Sequence, residues 1–158
     1  MEMDWGTAIV GLIMLLICIV PFVIMYYNRK KKENKMLQSL NEIAKPHNCK
    51  ISQHEFCGDY VMGIDESRNF VFFFKQKKEE AISQFVDLSE IQICQVVKKA
   101  ISTYSTQRLE LVFLPTNKSK TETKFELYDE EVNTQLSGEL QFVDKWAKQI
   151  NDRLKNKK

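Results

Sequence analysis

The residues best suited to chemistry lie in one short segment, HNCKISQHEFC (47–57). It holds both histidines of the chain and two of its four cysteines. Imidazole and thiolate are ligands that Zn²⁺ favours, so His47, Cys49, His54 and Cys57 are candidate zinc ligands. Against this, the segment is predicted to be an extended strand, in which His54 points away from its odd-numbered neighbours. We therefore interpret the thiols as buried and reduced and the imidazoles as surface groups, and we expect no metal or cofactor.

Other catalytic constellations are missing from the sequence. A Ser–His or Cys–His pair has only the region around His47 and His54 to arise from. Neither GxxxxGK[ST] nor GxGxxG occurs, so no glycine-rich loop is present to hold a phosphate. These observations predict a protein that is not an enzyme.

Residues 5–27, WGTAIVGLIMLLICIVPFVIMYY, contain no charged side chain. A helix of this length spans about 34 Å, enough to cross a bilayer core of about 30 Å. Trp5, Tyr26 and Tyr27 stand at the two ends, where amphipathic aromatic rings favour the headgroup level. The segment predicts a single transmembrane helix, kinked at Pro21. A cleaved signal peptide is disfavoured, because the preceding residues are acidic and no small-residue cleavage site follows.

The charges around this segment predict its orientation. Only Glu2 and Asp4 precede it, whereas four cations follow it directly: Arg29, Lys30, Lys31 and Lys32. The positive-inside rule places residues 1–4 outside and the remaining chain in the cytoplasm, with the helix in the cell (inner) membrane. The cluster would also contact anionic headgroups. Beyond residue 32 cationic and anionic side chains are equal in number, so no nucleic-acid partner is expected.

Residues 28–46 are predicted to be a basic, helical juxtamembrane linker that ends before Pro46. Apolar residues at Met36, Leu37, Leu40 and Ile43 follow helical spacing. This stripe is expected to pack either on the domain that follows, residues 47–158, or on a helix of another protein.

Beyond Pro46 the hydrophobic period changes from 3.6 to 2, which predicts short antiparallel strands. The run FVFFFK (70–75) is rich in aromatic residues and favours a strand buried on at least one face. Residues 98–107 form a polar stretch that is interpreted as a loop or a loose extension. The seven predicted strands are 49–56, 59–66, 70–75, 81–88, 90–97, 108–115 and 124–129.

The period returns to 3.6 in the last part of the chain, GELQFVDKWAKQINDRL (138–154). This pattern predicts an amphipathic helix with Ser137 as its N-cap. Val143, Trp146 and Ile150 share the apolar side of the helix. We expect these three residues to form a structural cap on the strands.

Two stretches, ISQFVDLSEIQICQVVKK (82–99) and FVDKWAKQI (142–150), resemble bacterial members of the pleckstrin-homology (PH) superfold. The resemblance implies a mainly β, α+β domain: a seven-stranded, bent antiparallel barrel capped by a C-terminal helix. Phosphoinositide-binding relatives carry a basic loop between the first two strands. Here that loop is Cys57–Gly58–Asp59, which has no cation, so phosphoinositide binding is not expected. Lys75, Lys77 and Lys78 are interpreted either as a membrane contact or as a solvated hairpin tip.

The expected function is that of a single-pass membrane protein whose cytoplasmic PH-like domain is a non-catalytic interaction or scaffold module. Its partners would be the lipid bilayer and a protein. The fifth strand and the 98–107 loop are the candidate partner surface, represented by Ile91, Ile93, Lys98 and Lys99. Two alternatives stay open: an accessory or regulatory subunit recognised through its transmembrane helix, and a weak sensor of anionic lipid.

Overall fold

The computed structural model describes residues 4–76, 80–102, 105–129 and 138–156. The chain divides into two compact units, Met1–Lys35 and Met36–Lys158. The described residues form two α-helices, two short 3₁₀ helices and seven strands.

The first helix, α1, runs from Trp5 to Ala44 and contains Pro21. Its apolar side chains over residues 5–27 are exposed. A helix satisfies its backbone hydrogen bonds internally, which a segment in hydrocarbon requires. By length and composition, α1 is one helix near the N-terminus that can span a membrane.

The predicted seven antiparallel strands and the C-terminal helix are confirmed. The first sheet has the order β1-β2-β3-β4 and the second the order β5-β6-β7. No strand pairing between the two sheets is seen in the described strands, so the structure shows two sheets instead of a closed barrel. The element bounds are β1 Gln53–Cys57, β2 Tyr60–Asp65, β3 Phe70–Gln76, β4 Ala81–Asp87, β5 Ile91–Ser102, β6 Ser105–Pro115, β7 Thr123–Asp129 and α2 Glu139–Asn156.

The main core lies between the sheets and α2. The period-2 pattern turns alternate residues of each strand inwards. Tyr60, Met62 and Ile64 of β2 and Val71 and Phe73 of β3 are inward-facing and buried. The second sheet and α2 supply the opposite side of this core: Leu109, Leu111, Phe113, Phe125, Leu127, Val143, Trp146 and Ile150.

A second buried cluster covers the other face of the first sheet. Met36, Leu40 and Ala44, spaced four residues apart at the end of α1, pack with Val61, Phe72 and Phe74. This contact explains why β3 is apolar at successive positions, since both of its faces are buried. The sequence left two packing partners open for the apolar stripe of the helix, its own domain or a helix of another protein. The structure shows the stripe packed on its own domain.

Of the loop and the extension that the sequence allows for residues 98–107, the structure shows extensions of two strands. β5 continues to Ser102 and β6 begins at Ser105, with Lys98 opposite Leu109 and Lys99 opposite Arg108. Polar residues are compatible with a strand whose faces are not both buried, so hydrophobic alternation alone could not detect this extension. Lys98 and Lys99 therefore lie in a hairpin strand.

Lys75 is not a membrane contact. It is 3% exposed, and its ammonium group donates hydrogen bonds to the main-chain oxygens of Glu126 and Leu127, each at 3.3 Å. The bonds connect β3 of the first sheet to β7 of the second. Lys77 and Lys78 lie outside the described residues, as does Ser137.

Asp65 fixes the turn between β2 and β3. Its carboxylate accepts hydrogen bonds from the backbone of Lys50 at 2.7 Å, from Ser67 and from the backbone of Arg68. Burial alone raises the pKa of this carboxyl group. The hydrogen bonds from Ser67, Lys50 and Arg68 outweigh burial and lower the pKa to about 2.

We expect Gly63→Ala to destabilise the domain by about 1–3 kcal/mol, because an added Cβ overpacks this site. That atom would lie 2.8 Å from Cδ2 of Leu40 and 2.9 Å from Cγ2 of Ile51. Urea unfolding of the full chain in detergent micelles, followed by circular dichroism, measures the change. Gly11→Ala is the control, since nothing lies within 4 Å of its added Cβ. Unchanged stability of Gly63→Ala would contradict this packing of α1.

We expect Asp65→Asn to lower the free energy of unfolding at pH 7 by about 1–3 kcal/mol. Because the folded-state pKa is below the ordinary value of 3.8, the carboxylate stabilises the fold fully above pH 4. This contribution is lost as the pH falls through about 2. Unfolding measured from pH 7 to pH 2.5 should show the variant and the wild type converging. Glu42→Gln, at an exposed position, is the matched control.

Candidate functional site

α2 is the element that positions the candidate site. Its predicted cap residues Val143, Trp146 and Ile150 are each 0% exposed. Phe142 packs its ring 5.2 Å from Tyr60 and 6.0 Å from Trp146. These contacts hold one face of α2 in the core and leave the opposite face to solvent.

Polar contacts join α2 to both sheets. The indole Nε1 of Trp146 donates a hydrogen bond to Glu55 of β1 at 3.0 Å, and Lys145 binds the same carboxylate at 2.9 Å. On the other side of the helix, Asn151 bonds to Cys94 of β5. Because hydrogen bonds have directional preferences, these contacts fix both the rotation of α2 about its own axis and its position against the sheets.

A groove lies beside β5 and α2, with a volume of about 250 Å³. Ile93 lies in it and is 39% exposed, which is unusual for a large aliphatic residue beside a core. We call it the β5–α2 groove. Its lining residues are Gln92, Ile93, Asn151, Leu154 and Lys155.

Asn151 binds the outer edge of β5 as a neighbouring strand would. Its amide nitrogen donates to the main-chain oxygen of Cys94 at 2.7 Å, and its oxygen accepts from the main-chain nitrogen of Cys94 at 3.0 Å. In an antiparallel pair, successive residues alternate between bonding the partner strand and facing away from it. Since Cys94 faces away from β6, Val96 and Lys98 do so too. Their backbone groups therefore continue the same edge.

The four predicted partner-surface residues are not equivalent. Ile91 is half-buried and packs against the main core, whereas Ile93 lines the groove. Lys98 forms an ion pair with Asp144 of α2 at 3.8 Å. Lys99 is exposed and alternates with Lys98, so it lies on the opposite face of β5. The structure thus brings Ile93 and Lys98 together with α2 and separates them from the other two.

Asn151 and Lys155 were missed by sequence reasoning. An asparagine inside a predicted helix is weak evidence for a site residue, because an asparagine side chain often bonds to nearby backbone. Here it bonds to a strand far away in the sequence, a partner that no local pattern reveals.

Burial changes the pKa values of several titratable groups among the described residues. All four cysteines are free thiols. Burial raises the pKa of the Cys94 thiol to about 12, and burial also raises the pKa values of Cys49, Cys57 and Tyr60. Groups with raised pKa values stay protonated at neutral pH and are poor nucleophiles.

The two histidines of the 47–57 segment each lie against an aromatic ring. The ring of His47 lies 4.1 Å from that of Phe85, and the ring of His54 lies 5.4 Å from that of Phe56. Within the described ranges, no group of three or more His, Cys, Asp and Glu side chains is placed to hold a metal ion.

The residues predicted for the membrane interface are all exposed on α1. Arg29 pairs with Glu33 one turn on, at 2.9 Å. The ammonium group of Lys30 lies 5.9 Å from the ring centre of Tyr26, which is cation–π range. The others are Trp5, Tyr27, Lys31 and Lys32.

Comparisons with protein-family models, with curated proteins and with solved structures gave no match to this chain.

We expect Trp146→Ala to destabilise the domain by about 3–5 kcal/mol, because it leaves a large cavity in the core. Trp146→Phe, which keeps an aromatic ring but loses the hydrogen bond to Glu55, should cost less. Lys148→Ala, at an exposed position of the same helix, is the control. Circular dichroism during urea unfolding of the full chain measures all three. A stable Trp146→Ala domain would mean that the ring is not a structural element.

Proposed function

We propose that this chain is a single-pass membrane protein whose PH-like domain is a non-catalytic protein-interaction module in the cytoplasm. The apolar length of α1 supports the membrane anchor. The four cations from Arg29 to Lys32, against Glu2 and Asp4 on the other side, support the orientation.

The arrangement of strands supports the PH-like assignment. Four strands in one antiparallel sheet, three in the next and a C-terminal helix follow the order of that superfold. The turn between β1 and β2 contains only Gly58 and Asp59 and has no cation for a phosphoinositide. A protein ligand is therefore favoured over a lipid headgroup.

The observation that carries the proposal is the β5–α2 groove. It places an exposed apolar side chain, Ile93, beside Leu154 of α2, and the outward-facing backbone groups of Val96 and Lys98 lie farther along the same strand, beyond the bonds that Asn151 makes to Cys94. Main-chain hydrogen bonds to such an edge supply affinity, and a side-chain pocket beside it supplies specificity. We propose that an extended segment of a partner protein binds here, with an apolar side chain against Ile93 and Leu154.

A photo-crosslinking amino acid in place of Ile93 tests this proposal in native membranes. We expect it to capture a defined protein, whereas the same amino acid in place of Ser119, in the β6–β7 turn, should not. Ile93→Asp should lower the amount of that protein recovered with the chain by about tenfold, equivalent to about 1.4 kcal/mol of binding free energy. Ser119→Asp should leave recovery unchanged.

Two other results would contradict the proposal. Crosslinks to protein only from a probe at Ile13, inside the apolar segment of α1, would favour an accessory subunit recognised through its membrane helix. Crosslinks from position 93 to lipid alone would favour a lipid sensor.

A further inference from the structure

The four described cations of α2 form two groups that differ in their partners. On the side of the helix toward the first sheet, Lys145 binds the carboxylate of Glu55 at 2.9 Å. Arg153, on the same side, lies 4.0 Å from the carboxylate of Glu66. The charges of these two cations are therefore balanced within the domain.

The other two cations, Lys148 and Lys155, lie on the side of α2 toward β5. Helical spacing places them on one face with Asn151, which bonds to Cys94 of β5. Both lysines are exposed, and no carboxylate among the described residues pairs with either of them.

β5 does not supply negative charge to this side of α2. Its sequence, IQICQVVKKAIS, contains two lysines and no aspartate or glutamate. Asp144 of α2 lies beside β5, but it already pairs with Lys98 at 3.8 Å. The β5–α2 groove is therefore cationic, although cationic and anionic side chains are equal in number from residue 33 onward.

The two lysines are spaced along the direction of the groove. Lys155 lines the groove beside Ile93 and Leu154. Lys148 lies two turns earlier in α2, about 10 Å back along the helix axis. An extended segment advances about 3.3 Å per residue. About three residues of a bound segment would therefore reach from one ammonium group to the other.

We propose that the partner segment in the β5–α2 groove is acidic, with carboxylates within about two residues of its apolar side chain. The apolar side chain packs on Ile93 and Leu154, and the carboxylates pair with Lys148 and Lys155. This inference rests on the proposed function, since it names the chemistry of the segment that the groove binds. Each exposed ion pair adds little affinity, whereas a cationic segment meets repulsion. The lysines therefore select among apolar segments by their charge.

A second copy of the chain does not supply this negative charge by two-fold pairing. In a two-fold dimer the same surface patch meets itself. Lys148 and Lys155 would then face the same two lysines of the other copy, and like charges that face each other oppose association. An anionic bilayer surface would attract the lysines, but the apolar part of the site is a groove of about 250 Å³, which suits a single side chain better than a flat surface.

The probes are four synthetic peptides of equal length. The peptide Ser-Glu-Glu-Leu-Glu-Glu-Ser has the proposed chemistry. The second peptide has glutamine and the third has lysine in place of the glutamates, and the fourth has serine in place of the leucine. Binding is measured by NMR titration of the full chain in zwitterionic detergent micelles, from the backbone amides of Gln92 and Ile93 and the side-chain amide of Asn151.

We expect the glutamate peptide to bind about fivefold more tightly than the glutamine peptide, because two exposed ion pairs contribute modestly. The lysine peptide should bind more weakly than both. At about 1 M salt these differences should disappear, because charges are then screened beyond about 3 Å. Lys148→Gln combined with Lys155→Gln should also remove them, whereas Lys118→Gln, at an exposed position of the β6–β7 turn, should not.

Equal binding of the glutamate, glutamine and lysine peptides would overturn the acidic preference and leave the groove itself as a peptide site. If no peptide shifted these resonances at millimolar concentration, both the preference and the proposed function of the groove would be wrong. Binding of the serine peptide as tightly as the leucine peptide would mean that charge alone attracts the segment, which also overturns the proposal.

Two further results would assign the groove to a different occupant and so contradict the proposal. Shifts of the Ile93 amide on dilution of the chain without peptide would identify a second copy. Shifts equal to those of the glutamate peptide, produced by adding phosphatidylglycerol to the micelles, would identify an anionic lipid surface.

Discussion

The domain depends on burial of one face of α2 against two sheets, between which the described strands form no pairing. Each sheet has an apolar face that must leave water, and the helix closes the core that they form. Trp146 supplies the largest ring at this place, and Glu55 satisfies its indole nitrogen. The hydrogen bonds from Asn151 and Trp146 then join the helix to β5 and β1. Without α2, the core and the groove beside β5 would both lose a wall.

A second constraint comes from the first sheet, which is apolar on both faces. Val61, Phe72 and Phe74 would form an exposed patch if the last turns of α1 did not cover them. Gly63 permits the close approach of Leu40 to the sheet. The end of α1 is therefore part of the folded domain, and a chain shortened to remove it would expose these aromatic residues.

The proposed function is binding, which fits the way the described polar groups are held. Burial raises the pKa values of the Cys57 and Cys94 thiols and of the Tyr60 hydroxyl, so these groups stay protonated, and ordered polar side chains such as Asp65 and Lys75 bond to backbone. What stays open is backbone at the β5 edge with apolar side chains beside it. This edge is partly occupied by Asn151, which limits where a segment can pair.

The sequence by itself determined the apolar segment 5–27, the seven strands and the C-terminal helix, because each leaves a local period or a charge-free run. It did not decide whether residues 98–102 continue β5, since hydrophobic alternation reports only faces that are buried. Nor did it reveal that Lys75 bonds to β7, that Asn151 bonds to β5 or that Leu40 needs a glycine at position 63. Those contacts join residues far apart in the chain. Only the tertiary structure decided them, because their free energy depends on which surfaces meet when the helices pack on the sheets.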